Sequence, residues 1–335
     1  MKIVKNIRKN TIFILIITVI ILCIVLKDNF NDIVLALQTI DLKYIALAVV
    51  FLVLSIVVRG YANYKITDKP DKISIKEAIK HNFITQFFNG ITPFSTGGQP
   101  MEIYMIREHN IPVAEATNIT MQSFLFSQIA LVICGFFAVI YNFFFHLFPK
   151  IKILQWLVLL GFIINIGIVI GLFIVSYSRR INKKISKLCT KLCKKFKINK
   201  TEEEIDQKFL DYYNGFQQIK KRKKLMVLAI LLNIVSLVCL YIVPVFILYS
   251  MHDFTSMNIV EVVTASAYVY VIGGFVPIPG ASGGIEYAFT QFFGNFMIES
   301  KLSALLLLWR TITYYFGMIV GALLFNFEKK VKKWE

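Results

Sequence analysis

Two short polar phrases interrupt hydrophobic stretches of this sequence, and both carry glycines, prolines and one acidic residue. The first is Asn89-Gly90-Ile91-Thr92-Pro93-Phe94-Ser95-Thr96-Gly97-Gly98-Gln99-Pro100-Met101-Glu102. The second is Gly273-Gly274-Phe275-Val276-Pro277-Ile278-Pro279-Gly280-Ala281-Ser282-Gly283-Gly284-Ile285-Glu286. Aligned on their first prolines, both read G-x-x-P-x8-E with a Gly-Gly pair between Pro and Glu. Irregular backbone at membrane depth must be buried in protein or line a wet cavity, because lipid satisfies neither N–H nor C=O groups. A helix restarting after such a break aims free N–H groups and its positive dipole end outward, which suits a phosphate. Pro100 fits the first turn of a restarting helix, and Thr96 and Gln99 have capping-box spacing. Gly90, Gly97, Gly98, Gly274, Gly280, Gly283 and Gly284 let the chain turn and approach a ligand closely. The competing reading makes them helix-packing glycines. Pro93, Ser95, Pro277, Pro279 and Ser282 complete the two candidate cavity segments.

Three charged residues sharpen the chemistry. Glu102 and Glu286 fall in the first turns after the breaks. There they either compensate a helix dipole or face a cavity and hold a cationic headgroup or a proton. Arg310 lies eight residues into the last apolar stretch, beside Trp309. A central arginine costs on the order of 3 kcal/mol to insert and requires a partner. The partner is either a glutamate or a lipid phosphate, with Glu286 balancing the charge when no lipid is bound. Gln122, Ser123, Ser127, Gln128, Tyr268, Tyr270, Tyr314 and Tyr315 offer neutral hydrogen bonds, of the kind that commonly join helices.

The elements that must position these residues are membrane spans. The chain has 335 residues, 57% of them hydrophobic, with mean hydropathy +0.66, which marks a polytopic membrane protein. Apolar runs long enough for a bilayer of roughly 30 Å fall at residues 11–26, 44–62, 117–141, 153–176, 225–250 and 302–326. Broken pairs fall at 79–110 and 259–298. Residues 11–26 lack a small-x-small cleavage site and read as a retained span rather than a signal peptide. With the N-terminus inside, 31 of the 37 Lys and Arg residues lie in inside segments, Arg59 among them. The positive-inside rule then places both termini in the cytoplasm. The first broken pair enters from the cytoplasm and returns, and the second enters from outside and returns. That is the pattern of inverted repeats around a midplane site.

The net charge of +17 is concentrated in residues 179–224 and does not point to nucleic acid. Ile181, Ile185, Leu188, Leu192 and Phe196 recur at helical spacing among lysines, as in a basic amphipathic helix on an anionic leaflet. Simple topogenic charge is the alternative. Thr201-x-x-Glu204 predicts a capping box opening a second helix, in which Ile205, Phe209, Tyr213 and Phe216 follow. The odd set of five cysteines makes no disulfide framework, and Cys189 and Cys193 alone make a poor metal site. Gly280-Ala281-Ser282-Gly283 matches the G-x-S-G of rhomboid-type proteases, but such a serine needs a histidine base. His81, His109, His146 and His252 all fall at span ends or in loops. No catalytic residue, metal site or cofactor is expected, and no ATP-binding motif occurs.

The two phrases, the Asn82-x-x-x-Gln86-x-x-x-Gly90 lead-in and the Trp309-Arg310 pair together resemble the transmembrane, flippase-like half of lysylphosphatidylglycerol synthases, the multiple peptide resistance factors. The resemblance covers essentially the whole chain. In bifunctional members a soluble domain transfers lysine from lysyl-tRNA to phosphatidylglycerol. The membrane half moves the product outward, which lowers negative surface charge and gives resistance to cationic peptides. The sequence ends at Glu335, just after the last span, so the synthase domain is not expected in it. The resemblance implies an all-α polytopic protein of the cell membrane, 1–335 as one domain. Its expected parts are a first half 1–178, a basic cytoplasmic loop 179–224 and a second half 225–335. These form two inverted half-repeats, with six full transmembrane helices and two re-entrant helix pairs. The implied function is translocation of an anionic or aminoacylated phospholipid between leaflets, passive or ion-coupled. The implied partners are anionic inner-leaflet lipids, a separate synthase chain or a second copy in a homodimer. A lysyltransferase component and a flippase for isoprenoid-linked glycans are the alternatives.

Overall fold

The computed structural model describes residues 38–148, 152–195, 201–273, 278–281 and 283–327, and all secondary structure among them is helical. Helix α1 (Leu42–Thr67) opens on Asp41, whose side chain accepts from the Lys43 N–H at 2.9 Å, and stops where Asp68 turns left-handed. A capping box of Ser74 and Glu77 opens α2 (Ile75–Gly90). A 3-10 turn (Pro93–Ser95) separates α2 from α3 (Gly98–Arg107). The long α4 (Val113–Phe145) and α5 (Lys152–Tyr177) follow, then α6 (Arg179–Lys195) and α7 (Glu202–Lys220). The run of α8 (Lys223–Tyr241) and α9 (Val243–Ser250) is interrupted just before Pro244, which cannot donate to a helical ladder. After α10 (Ile259–Gly273) come a second 3-10 turn (Pro279–Ala281) and α11 (Gly284–Phe293). The chain closes with α12 (Glu299–Arg310), a π-helical turn (Thr311–Phe316) and α13 (Gly317–Phe327).

Five helical stretches are long and apolar enough to cross a membrane: Leu42–Thr67, Val113–Phe145, Trp156–Tyr177, Lys223–Ser250 and Glu299–Asn326. They coincide with five of the six spans read from the sequence, and residues 11–26 lie outside the described residues. The two broken pairs are the two helix–turn–helix units, α2/α3 and α10/α11. Their arms have 16, 10, 15 and 10 residues. At about 1.5 Å per residue, none reaches the roughly 30 Å of a bilayer core. Trp156–Tyr177 is the most apolar stretch and the least enclosed, with Leu159, Leu160, Ile163 and Ile170 exposed. An outward face of that kind marks contact with lipid or with another protein in the membrane. This is a multi-pass helical membrane protein.

Packing inside the bundle relies on close backbone approach and small polar contacts, since lipid removes the usual hydrophobic drive between helices. Ser55 and Ser236 join α1 to α8, with the Ser236 hydroxyl donating to the Ser55 carbonyl at 2.9 Å. Asn82 of the lead-in donates to the Ile56 carbonyl at 2.7 Å, tying α2 to α1. On its other side α2 meets α13, where Gly321 lies against the Phe83 carbonyl and Gly317 against the Gln86 amide. The half containing the second phrase has an aromatic core. Phe289 stacks on Phe293 at 4.1 Å and on Trp309 at 4.6 Å, and Phe292 stacks on Tyr268 at 5.0 Å. Thr201 and Glu204 form the expected capping box. The buried residues of α7 are Ile205, Tyr212, Phe216 and Ile219, while Phe209 and Tyr213 are half-buried.

One contact fastens the loop before α10 to the first turn of α12. Asp253 accepts from the Thr255 and Ser256 N–H groups at 3.2 and 3.0 Å and from Lys301 Nζ at 2.7 Å. Burial alone would raise its pKa, but these donors, Lys301 foremost, outweigh it and lower the carboxyl from 3.8 to about 2. A carboxyl depressed in the folded state stabilises the fold above its unfolded value and loses that contribution as pH falls through the folded one. Replacing Asp253 by Asn is therefore expected to cost about 1–2 kcal/mol at neutral pH. The variant should also lose less stability than wild type between pH 4 and pH 2, as read by thermal melts in one detergent.

Candidate functional site

The first phrase is held by its own side chains. Thr92 Oγ1 donates to the Phe88 carbonyl and accepts from the Gly97 N–H, both at 2.8 Å. Asn89 Oδ1 accepts from the Gly98 N–H at 2.9 Å. A Cβ on Gly98 would run into that Asn89 amide, so the residue must be glycine for the cap to form. The expected Thr96–Gln99 capping box is not formed. Thr96 Oγ1 donates back to the Pro93 carbonyl at 2.9 Å, and the α3 N-cap is Gly97, without a side-chain cap. Two N–H groups that the sequence reading left free for a ligand are therefore already taken. Phe94 and Ser95 adopt left-handed φ angles of 53° and 52°, and Pro93, Ser95 and Thr96 are exposed. The Gln99 Oε1 atom is buried without a partner among the described residues. Glu102 is buried on α3, where it accepts from Asn63 Nδ2 at 2.9 Å and senses the charge of Arg59.

In the second phrase Gly274, Pro277 and Ser282 lie outside the described residues. Pro279, Gly280 and Ala281 form the 3-10 turn, with Gly280 at φ 65°. Gly283 (φ 83°) caps α11, and its N–H donates to Glu286 Oε2 at 2.6 Å. Gly284 is the first residue of α11. The other oxygen, Glu286 Oε1, accepts from Arg310 Nε at 2.6 Å and is also met by Arg310 Nη2. The same Nη2 donates to the Gly280 carbonyl at 3.1 Å. Arg310 is 8% exposed and Glu286 14%, so the ion pair is nearly enclosed. The guanidinium also lies over the rings of Trp309, at 5.5 Å, and Tyr314, at 5.1 Å.

The two phrases meet. Their 3-10 turns pack against each other, and α2 also touches the second turn. Tyr314 bridges them, its hydroxyl donating to the Gly90 carbonyl at 2.9 Å while its ring occupies the space beside Gly280. The π-helical turn that follows Arg310 brings Tyr314 to this position. π-bulges inside α-helices are frequent at functional sites. The arrangement is a pair of broken backbones, an arginine, a carboxylate and a tyrosine joined through direct hydrogen bonds. It offers an anion the guanidinium and offers a cation Glu286, once the internal pair opens.

Of the residues expected at the site, the structure brings Gly90, Pro93, Ser95, Pro279, Gly280, Glu286 and Arg310 into one neighbourhood, and Tyr314 joins them. Glu102 belongs to a separate contact with α1, so each glutamate answers to its own arginine. Arg59 was counted with the inside charges although the run 44–62 contains it, and α1, which continues to Thr67, carries it inside a helix. A 26-residue helix containing an arginine was the available signal. His81, placed at a span end, is buried within α2, with its ring 5.4 Å from that of His109. A cavity of about 570 Å³ lies elsewhere, between α4, α5, α10 and α11, and is mostly aliphatic and aromatic. The four described cysteines are free.

Fold and site together define a multi-pass membrane protein with paired helix breaks around a buried ion pair. The chain belongs to the family of the lysylphosphatidylglycerol synthase TM region, whose model matches residues 11–321. It is similar to the Mycoplasma pneumoniae protein called "Uncharacterized protein MG306 homolog", at 24% identity over 266 residues. That match takes in 72% of this chain and 66% of the relative, just under two thirds of its length.

Two pairs of substitutions test the site's architecture. Arg310→Ala alone leaves Glu286 buried and unpaired and is expected to cost about 3–5 kcal/mol. Arg310→Ala with Glu286→Gln should cost clearly less than the sum of the two single changes in a denaturant or thermal cycle. Agreement with the sum to within about 0.5 kcal/mol would show uncoupled groups. Gly280→Ala forces a left-handed alanine into the Tyr314 ring and is expected to cost about 1–3 kcal/mol from the backbone alone. Adding Tyr314→Ala should recover only the steric remainder.

Proposed function

We propose that this protein carries a phospholipid headgroup between the leaflets of the cell membrane through the junction of its two broken helix pairs, while the acyl chains stay in the bilayer. The observation that carries this reading is the enclosed Arg310–Glu286 pair, bonded to the Gly280 carbonyl and bridged to Gly90 by Tyr314. A buried ion pair costs more desolvation than a neutral core of similar volume, and an intramembrane charge marks a substrate pathway by default. The pair is matched to a headgroup bearing both signs. A lipid phosphate replaces Glu286 on Arg310, an ammonium replaces Arg310 on Glu286, and no unpaired charge is left in the membrane at any stage. Lysylated phosphatidylglycerol has both groups, and family membership supports it as the cargo. Moving it outward would lower the negative surface charge that attracts cationic antimicrobial peptides.

In this reading the two helix–turn–helix units are re-entrant and enter from opposite faces as inverted repeats around the site. The short arms of α2, α3, α10 and α11 support that placement. Residues 11–26 supply the sixth span, and the basic segments hold both termini in the cytoplasm. The exposed faces of Pro93, Ser95 and Thr96 on the first turn and of Gly283 on the second give the headgroup its approach. Gly97 and Gly98 hold the first turn in shape through the Thr92 and Asn89 caps.

Leaflet exchange of labelled phosphatidylglycerol and lysylphosphatidylglycerol in proteoliposomes tests the proposal. Wild type is expected to exchange lysylphosphatidylglycerol faster than protein-free vesicles. Glu286→Gln and Arg310→Ala, each checked for an intact melting transition, are expected to fall to the protein-free rate. Wild-type exchange no faster than protein-free vesicles for either lipid would contradict it, as would exchange that survives both substitutions. An isoprenoid-linked glycan would then be the next cargo to offer.

A further inference from the structure

Helix α6 turns three different faces to its surroundings. Asn182, Ser186 and Thr190, one per turn, are buried. Asn182 Nδ2 donates to the Val175 and Phe209 carbonyls at 3.1 and 2.7 Å, and Arg179 pairs with Asp206 at 3.1 Å. The face that α6 gives to its own protein is thus small and polar. The apolar stripe is left outside, with Ile181 39%, Leu188 57% and Leu192 46% exposed. At about 100° per residue, Arg180, Lys184 and Lys191 border this stripe on the side away from the buried seam, and all three are exposed. Lys183 and Lys187 point farther round, into a cleft shared with Glu202, Glu203 and Asp206 of α7, and Lys194 meets Glu202 at 3.8 Å.

A water-soluble hairpin would bury the leucines and expose the asparagine, serine and threonine. Here the order is reversed, and the hairpin is fixed in that orientation. The Asn118 amide on α4 donates to the Asp211 carbonyl of α7 at 2.8 Å. Gln217 of α7 donates to the Ser176 carbonyl of α5 at 3.1 Å. Phe216 packs edge-on against Phe173 at 5.8 Å. A helix held rigidly with an apolar stripe outward and cations along its border matches the boundary of an anionic leaflet, where the stripe enters the acyl region and the cations meet phosphates.

We propose that α6 is a bilayer-surface helix that binds anionic phospholipid: Ile181, Leu188 and Leu192 lie in the acyl boundary, and Arg180, Lys184 and Lys191 hold the phosphates beside the α4 and α5 spans. This goes beyond translocation and stands whether or not the lipid at Arg310 is transported. Leaflet exchange does not enter its test.

The test uses the full chain in vesicles of phosphatidylcholine with or without phosphatidylglycerol. A nitroxide is placed on Leu188→Cys after replacement of the native cysteines, and its collision with oxygen and with a water-soluble nickel chelate is compared. In parallel, phosphatidylglycerol retained by the native-cysteine protein is counted by mass spectrometry for wild type and for Lys184→Gln/Lys191→Gln. The expected result is a label open to oxygen and shielded from nickel in the anionic vesicles, with retention falling about fivefold for each lysine replaced. A nickel-accessible label in both vesicles would overturn the proposal by leaving α6 in water. Unchanged retention in the double variant would overturn it by showing that these lysines hold no lipid.

Discussion

An arginine inside a membrane must be answered, and the answer given to Arg310 organises the second half of this protein. Its Nε and Nη2 take Glu286, and Nη2 also takes the Gly280 carbonyl. That carbonyl is available because the chain has left the helix at a glycine with φ 65°. Glu286 is in reach because α11 restarts just after the break, where its second oxygen caps the Gly283 N–H. The broken backbone and the intramembrane charge therefore satisfy one another. Each would be costly alone, since neither an orphaned carbonyl nor a bare guanidinium is tolerated in hydrocarbon.

The same logic extends across the molecule through Tyr314. The π-helical turn after Arg310 places its hydroxyl on Gly90, the last residue of α2, so the second site also caps the first break. The first break in turn has its own internal caps from Asn89 and Thr92, and its glutamate is answered by Asn63 and Arg59 on α1. Two polar interruptions thus sit against each other, each with its own acid–base complement, in a bundle whose outer faces are phenylalanine, leucine and isoleucine. In the proposed reading, an ion pair in that position exchanges partners with a ligand of both charges without leaving a charge uncompensated.

Much of this was legible in the sequence, for physical reasons that differ by element. Long apolar runs identify spans because a bilayer imposes a minimum length, and the described spans coincide with them. The breaks were visible as Gly-Pro phrases, and Glu286 was already one of the two candidate partners of Arg310. The caps of the first phrase were not legible. Local rules look three residues ahead, whereas Asn89 reaches Gly98 and Thr92 reaches Gly97 across a turn that only the folded chain closes. Arg59 was missed because it was counted with the inside charges although it falls within the run 44–62, and α1 continues for two more turns beyond it. The outward apolar stripe of α6 was visible as a periodicity. Which face the protein would cover was not, because it depends on how α7 packs on α4 and α5.

The central claim is that a lipid headgroup reaches the junction of the two turns. The most direct measurement is photocrosslinking with lysylphosphatidylglycerol carrying a photoreactive group on its headgroup, in native-like vesicles, with the modified residues mapped by mass spectrometry. The account predicts label on the turn around residues 93–96, on residues 278–287 and on the segment around Arg310 and Tyr314, lost when unlabelled lipid is added in excess. Label confined to the aromatic cavity between α4 and α5 or to the outer faces of the bundle, with none at either turn, would contradict it.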